Sequence, residues 1–232
     1  MKALVIANTG DDDAGHVGAR LVQRGYTLDT VYRDVDDGPI DLEHHDIVVL
    51  LGSDWSVYWD KVSNHVEREA DAVRRAAAAG TPVLGICYGG QLMSHALGGS
   101  VERAEITEIG WFDVASDIPA LAPPGPWFEF HVDKFTPPAD AVVFASTAAG
   151  PQAYRMGRMV ALQFHPEVTP SIIRRWGAES AAESKKYGID FDVVYAESDA
   201  LDEQNRERCY RLVDTFLDEV ANGSPTGQSF KA

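Results

Sequence analysis

Two rhythms of apolar and polar positions run along this chain. Short, continuously apolar runs recur near the N-terminus: Lys2–Ala7, Asp46–Leu51 (DIVVLL) and Pro82–Cys87 (PVLGIC). Such runs read as strands covered on both faces, and Thr27–Tyr32 reads as a further strand. Between them the spacing turns helical. Val17, Leu21 and Val22 share a stripe that ends at Gly25. From Asp60 to Ala79, Val62, Val66, Ala70, Val73 and Ala77 share another, with Gly80 placed to cap it. Tyr88–Leu97 is the next helix. This βαβαβα order predicts an α/β fold, an open, mostly parallel sheet with helices on both faces.

After Gly98 the rhythm shortens. Val101–Ile109, Trp111–Ala115 and Trp127–Phe135 read as strands separated by turns such as Ala122–Pro126, and predict a small antiparallel segment. Ala141–Ser146 and Met159–Phe164 complete the strand set. Thr169–Lys186 reads as mostly helical and Tyr187–Asp199 as irregular. A last helix carries Leu201, Cys209, Leu212, Val213, Phe216, Leu217 and Val220, and the polar tail from Asn222 is expected to fray. The expected division is a main domain over 1–175, a helical extension over 176–221 packed on it, and a flexible tail over 222–232.

Composition narrows the partners. With 45% hydrophobic and 24% charged residues in 232, the chain reads as a soluble globular protein able to bury a large core. Its net charge of −16 disfavours nucleic acid and anionic membranes. A solvated, self-repelling surface explains that charge; a high-salt habitat also fits it. Two distant cysteines, Cys87 and Cys209, do not form a disulfide framework, so a cytoplasmic location is expected. The N-terminal apolar run is too short for a signal peptide or a membrane span.

Against this background the segment Gly85-Ile86-Cys87-Tyr88-Gly89 stands out, where a buried strand meets a helix. A sharp turn there lifts the central side chain above the sheet, and the helix N-terminus favours the thiolate. Alone, the pentapeptide equally describes a buried structural cysteine. A second segment, Gln163-Phe164-His165-Pro166-Glu167, shifts the balance. Residues two apart in an extended chain share a face, so Glu167 can orient the His165 imidazole as a base. Asp11, Asp12 and Asp13 read as a solvated loop rather than a metal site, because three adjacent carboxylates cannot all face one ion. His44 and His45 read as a surface turn. Trp55, Tyr58 and Trp59 either wall a pocket or pack under the next helix.

Together, PVLGICYGGQLM and ALQFHPEV resemble the two signature segments of the class I glutamine amidotransferases, about 80 residues apart and in the family's order. The resemblance covers roughly residues 1–175. It implies that Cys87 attacks the amide carbon, that His165 is general base and acid, and that Glu167 orients it. It also implies an oxyanion hole from the backbone N–H of Tyr88 and one from the loop Gly52–Val57. The family usually carries two glycines and a proline in that loop; here Ser53 and Asp54 replace the second glycine and the proline. Gln91 matches a glutamine that helps hold the substrate's amino-acid end. Phe130–Phe135 (FHVDKF) resembles a segment bordering the substrate pocket, where His131 and Asp133 either meet substrate or hold a loop.

About 65 residues follow Glu167, an extension like that of stand-alone members similar to the glutaminase domain of GMP synthase. No G-x-x-x-x-G-K-[ST] phosphate loop is present in the sequence. The expected activity is cysteine-dependent hydrolysis of glutamine or a γ-glutamyl amide or peptide, with no metal and no cofactor. Two alternatives stand beside it: a glutaminase subunit feeding ammonia to a separate synthetase, and a non-catalytic binding protein. The loops around Ser53–Trp59, Ala104–Phe112 and Tyr187–Asp199 are where specificity is expected to lie.

Overall fold

The computed structural model describes residues 1–181 and 185–222. In chain order the elements are β1 (Lys2–Ala7), α1 (Gly15–Gln23), β2 (Thr27–Tyr32), β3 (Ile47–Leu50), α2 (Ser63–Ala79), β4 (Val83–Ile86), α3 (Tyr88–Ala96), β5 (Ser100–Asp113) and β6 (Ala115–Ser116). Then come β7 (Pro126–Thr136), β8 (Val142–Thr147), β9 (Gly150–Met156), β10 (Met159–Leu162), α4 (Pro170–Glu179) and α5 (Phe191–Thr215), which runs into a wider π-type coil over Phe216–Ala221.

Eight strands form one sheet in the order β2-β1-β3-β4-β10-β9-β8-β6. The first five are parallel, and β9, β8 and β6 continue the sheet antiparallel. β5 and β7 pair antiparallel as a separate ribbon. The α/β architecture expected from the βαβαβα order is therefore present. β3, β4 and β10 are buried at every residue, as continuously apolar central strands must be.

Each face of the sheet buries its own core. On one side, Val17 and Leu21 of α1 meet Val5, Val49, Ile86 and the C-terminal residues Cys209, Leu212, Phe216 and Val220. On the other, Val66, Ala70 and Val73 of α2 and Leu92 and Met93 of α3 cover Leu4, Val48 and Val83. Each large aliphatic or aromatic side chain so buried contributes about 1.5–3 kcal/mol. Arg20 of α1 and Arg24 just after it tie the two helices of the first face together, both reaching Asp214. α4 starts on Thr169, whose hydroxyl accepts from the Ile172 N–H at 3.3 Å, and Pro170 occupies the first turn.

Several expected elements are corrected. Val101–Ile109 and Trp111–Ala115 are not two strands: β5 runs unbroken through Gly110, which sits at φ +124°. Pairing with β7 carries the strand across, and a residue without a Cβ tolerates that backbone. The register shift falls earlier, between Arg103 and Glu108. β9 has no counterpart among the expected strands; its Gly150-Pro151 start resembles a turn, yet β8 and β10 pair with it on either side. Residues 191–199 are helical, not irregular. Asp190 caps them by accepting from the Asp192 N–H at 3.0 Å, and α5 then continues without a break. In α2 the buried stripe passes through Ala76, and Ala77 is exposed. Part of the helix expected over Thr169–Lys186 and nearly all of the tail from Asn222 lie outside the described residues.

Candidate active site

β4 ends in a turn at Cys87, and α3 starts at the next residue. Cys87 has φ +49°, the only positive value at a non-glycine among the described residues. That backbone costs on the order of 1–3 kcal/mol and persists only where its surroundings enforce it. They do here. The Cys87 N–H donates to the Leu162 carbonyl at 2.8 Å, and the Gln91 N–H returns to the Cys87 carbonyl at 2.9 Å. Gly89 packs so tightly that a Cβ would stand 2.3 Å from the Leu50 carbonyl oxygen. Tyr88 opens α3, where an amide has no partner within the helix.

β10 is parallel to β4 and delivers the second segment beside the first. His165 Nδ1 lies 2.7 Å from Glu167 Oε1. Nε2 takes no hydrogen-bond partner among the described residues and is left for the sulfur. Cys87 Sγ also receives a long contact from Gln163 Nε2, at 3.6 Å. The imidazole is 3% exposed, with the Trp176 ring edge-on at 4.9 Å and Phe128 beyond. Burial works against a charge on His165, but the Glu167 carboxylate and then Cys87 outweigh it and push the ring well above the ordinary histidine range.

Both side chains open into a cavity of about 900 Å³. Gly52, Ser53, Gln91 and His131 line it, as do Trp55, Tyr58 and Trp59. The three aromatics do wall a pocket, and Trp55 also packs on His65 of α2 at 5.4 Å. Asp133 pins their loop: the Ser56 hydroxyl donates to it in a short contact and the Tyr58 hydroxyl at 2.8 Å. Gln91 Nε2 donates to the Asp133 carbonyl and to Gln163 Oε1, both at 3.3 Å, so its amide nitrogen is engaged within the protein.

His131 is likewise engaged. Nδ1 donates to the Asp133 carbonyl at 2.9 Å, and Nε2 sits 3.2 Å from Glu108 and 3.3 Å from Glu129. Burial opposes its charge, yet Glu108 and Glu129 push the ring up to about 10, while burial pushes Glu129 up. These three side chains have donor atoms of metal-ligating type within 4.8 Å of one another. With a proton on Nε2 the group is a buried imidazolium between carboxylates, and that nitrogen has no lone pair for an ion. The arrangement fits the loop-holding role for His131.

Trp176 and Asp11 also border the cavity, and the sequence patterns did not single out Trp176. Asp11, expected in a solvated loop, is half-buried: Trp176 Nε1 donates to it at 2.9 Å, and Arg175 makes a short contact. Asp12 accepts from the Tyr32 hydroxyl and Asp13 from the Gly15 N–H, and both are exposed, as a solvated loop requires. His44 is exposed beside Asp41, whereas His45 tucks its ring against Asp29.

The site thus joins a strained cysteine, between a parallel strand and a helix, to a His-Glu pair delivered by the neighbouring strand. Residues 15–175 match the model of the family "Glutamine amidotransferase class-I", and the chain belongs to that family. Among curated relatives, the glutamine-hydrolysing GMP synthase of Desulfotalea psychrophila is 34% identical over 183 residues, 69% of this chain and 33% of that one. The GMP synthase of Serratia proteamaculans is 43% identical over 109 residues, 39% of this chain and 21% of that one. The chain thus spans about a third or less of the length of these relatives. In fold it resembles a glutamine amidotransferase from Thermotoga maritima (TM-score 0.85, 23% identity, 94% of this chain and 99% of that one). It also resembles one from Methylobacillus flagellatus (TM-score 0.82, 20% identity, 100% and 98%). No helix among the described residues is long and apolar enough to cross a membrane.

Proposed function

We propose that this chain hydrolyses the side-chain amide of glutamine or of a γ-glutamyl amide or peptide, through a γ-glutamyl thioester on Cys87. One observation carries the reading: Cys87, held at positive φ, faces the same cavity as an imidazole whose far nitrogen is locked on Glu167 at 2.7 Å. In this reading the Cys87 thiol gives its proton to His165 as Sγ attacks the amide carbon, and the C=O bond opens to an oxyanion. The N–H of Tyr88 and an N–H of the Gly52-Ser53 loop donate hydrogen bonds to that oxyanion. His165 gives its proton to the leaving nitrogen, the C–N bond breaks, and the amine departs. Water then adds to the thioester as His165 takes its proton; the C–S bond breaks, the proton passes to the sulfur, and glutamate leaves. Trp176 and Phe128 shield the imidazole from bulk water, which strengthens each charge interaction in the step.

The likeness to glutamine-hydrolysing GMP synthases supports a second reading, in which the ammonia passes to a separate synthetase. Turnover separates the two. The purified chain is incubated with a panel of γ-glutamyl amides, and the released amine is measured by mass spectrometry. Robust release without a partner favours the hydrolase; release that appears only with a synthetase favours the subunit. A glutamine-like chloroketone should label Cys87, and Cys87→Ala should abolish turnover. A folded protein that takes no label at Cys87 refutes both readings and leaves a binding protein.

A further inference from the structure

Arg33 follows β2 and is 0% exposed, as is its partner Glu69 on α2. Every N–H of its guanidinium is used. Nε lies 3.2 Å from each Glu69 oxygen. Nη1 donates to Asn8 Oδ1 at 2.7 Å and to the Gly52 carbonyl at 2.9 Å. Nη2 donates to the carbonyls of Ile6 at 3.1 Å and Leu51 at 3.0 Å. Its flat face lies 4.7 Å over the Tyr88 ring, and the Tyr88 hydroxyl reaches Glu69 at 3.4 Å.

A buried ion pair is a weak source of stability, because desolvating both charges offsets their attraction. The contacts of this one converge on the loop after β3. In a planar trans peptide the C=O of one residue and the N–H of the next point in opposite directions. Arg33 holds the Leu51 and Gly52 carbonyls on its own side, so the N–H groups of Gly52 and Ser53 point the other way. Gly52 is in contact with the catalytic pair: a Cβ there would lie 3.0 Å from His165 Cε1 and 3.8 Å from Cys87 Cβ. Successive amides aimed at one spot make an anion-binding nest.

We propose that Arg33 is a positioning residue of the oxyanion hole, clamping the Leu51 and Gly52 carbonyls and the Tyr88 ring so that donors from both halves face the forming oxyanion. The inference rests on the amidohydrolase reading above. A lysine at this position would keep a charge for Glu69 but lack the planar fork that spans both carbonyls.

The test is Arg33→Lys in the full chain, with the double variant Arg33→Gln/Glu69→Gln as a neutral alternative should the lysine fail to fold. For γ-glutamyl amides, kcat should fall about 10- to 100-fold with KM within about threefold, the pattern of a lost transition-state donor. Alkylation of Cys87 by iodoacetamide, which needs no oxyanion hole, should stay within about twofold. Retained kcat, or an equal fall in alkylation, overturns the proposal. So does loss of fold in both variants, since that marks a purely structural pair. Amide hydrogen exchange at residues 52–54 is read on the same proteins and needs no substrate. Exchange faster by about tenfold upholds the clamp, and unchanged exchange overturns it. Absence of wild-type turnover alongside faster loop exchange would therefore count against the amidohydrolase reading alone.

Discussion

Gly52 has almost no room for a side chain, since a Cβ would press on His165 Cε1 at 3.0 Å. Gly52→Ala must move the imidazole or the loop by a few tenths of an ångström. A steady-state assay should show kcat reduced at least about tenfold, and a melting curve should change little. Glu167→Gln keeps the shape but turns the Nδ1 partner from a pure acceptor into a possible donor, which favours the wrong tautomer. The expected loss in kcat is roughly 10²- to 10⁴-fold, with the fold intact by circular dichroism. His131 ties charge to stability. Below pH 6.5 its ring is charged in the folded and unfolded chain alike, and the pairing with Glu108 and Glu129 contributes fully. Between 6.5 and about 10 only the folded chain keeps the proton, so stability falls as pH rises, by at most about 1.4 kcal/mol per unit. Glu129, pushed up by burial, acts in the same direction. Denaturant titrations from pH 6 upward should show a shallower slope in His131→Gln than in the wild type; equal slopes would contradict the assignment.

At the scale of elements, α5 and the coil after it are part of the main core. Cys209, Leu212, Phe216 and Val220 pack with Val5 and Val49 of the sheet. At about 1.5–3 kcal/mol for each large side chain, removing these four costs about 6–12 kcal/mol, comparable with a typical total stability of about 5–15 kcal/mol. A chain ending at Arg175, where the family match ends, should therefore fail to give a cooperative melting transition. The first hundred residues were legible in the sequence because β1, β3 and β4 are almost continuously apolar and the helices between keep a stripe. β9 was not, since it opens on Gly150-Pro151 and owes its place to β8 and β10 rather than to its own pattern. Residues 191–199 were misread for a related reason. Phe191, Val193, Val194 and Tyr195 have modest helix propensity, and Phe191 and Tyr195 stack with each other and help pack the cluster around Phe128 and Val194. In the site, Cys87, His165 and Glu167 were legible because each pattern is local to a few residues. Arg33 and Trp176 were not: Arg33 meets Gly52 across 19 positions, and Trp176 meets Asp11 across 165. No spacing rule encodes such contacts.

For the molecule as a whole, 36 acidic residues against 20 basic ones leave a net charge of −16. The cavity shares this bias, with Asp11, Asp34, Asp54, Asp133 and Glu179 on its lining against Arg103 and the imidazoles of His131 and His165, both pushed toward the charged form. A field of this sign favours a departing amine that is positively charged. The γ-glutamyl amide of a diamine should be cleaved with a higher kcat/KM than γ-glutamyl-glutamate. That ratio should shrink as salt rises to about 1 M, where screening acts within about 3 Å; a ratio of one at low salt would contradict it. The edge-on contact of Trp176 with His165 has a further use. A protonated imidazole quenches indole emission, and Trp55 and Trp59 line the same cavity. The protein thus carries its own optical reporter. Deprotonation of His165, or acylation of the sulfur beside it, should brighten emission in a stopped-flow trace without any dye. Trp176→Phe should remove most of that signal, leaving the contribution of the cavity wall.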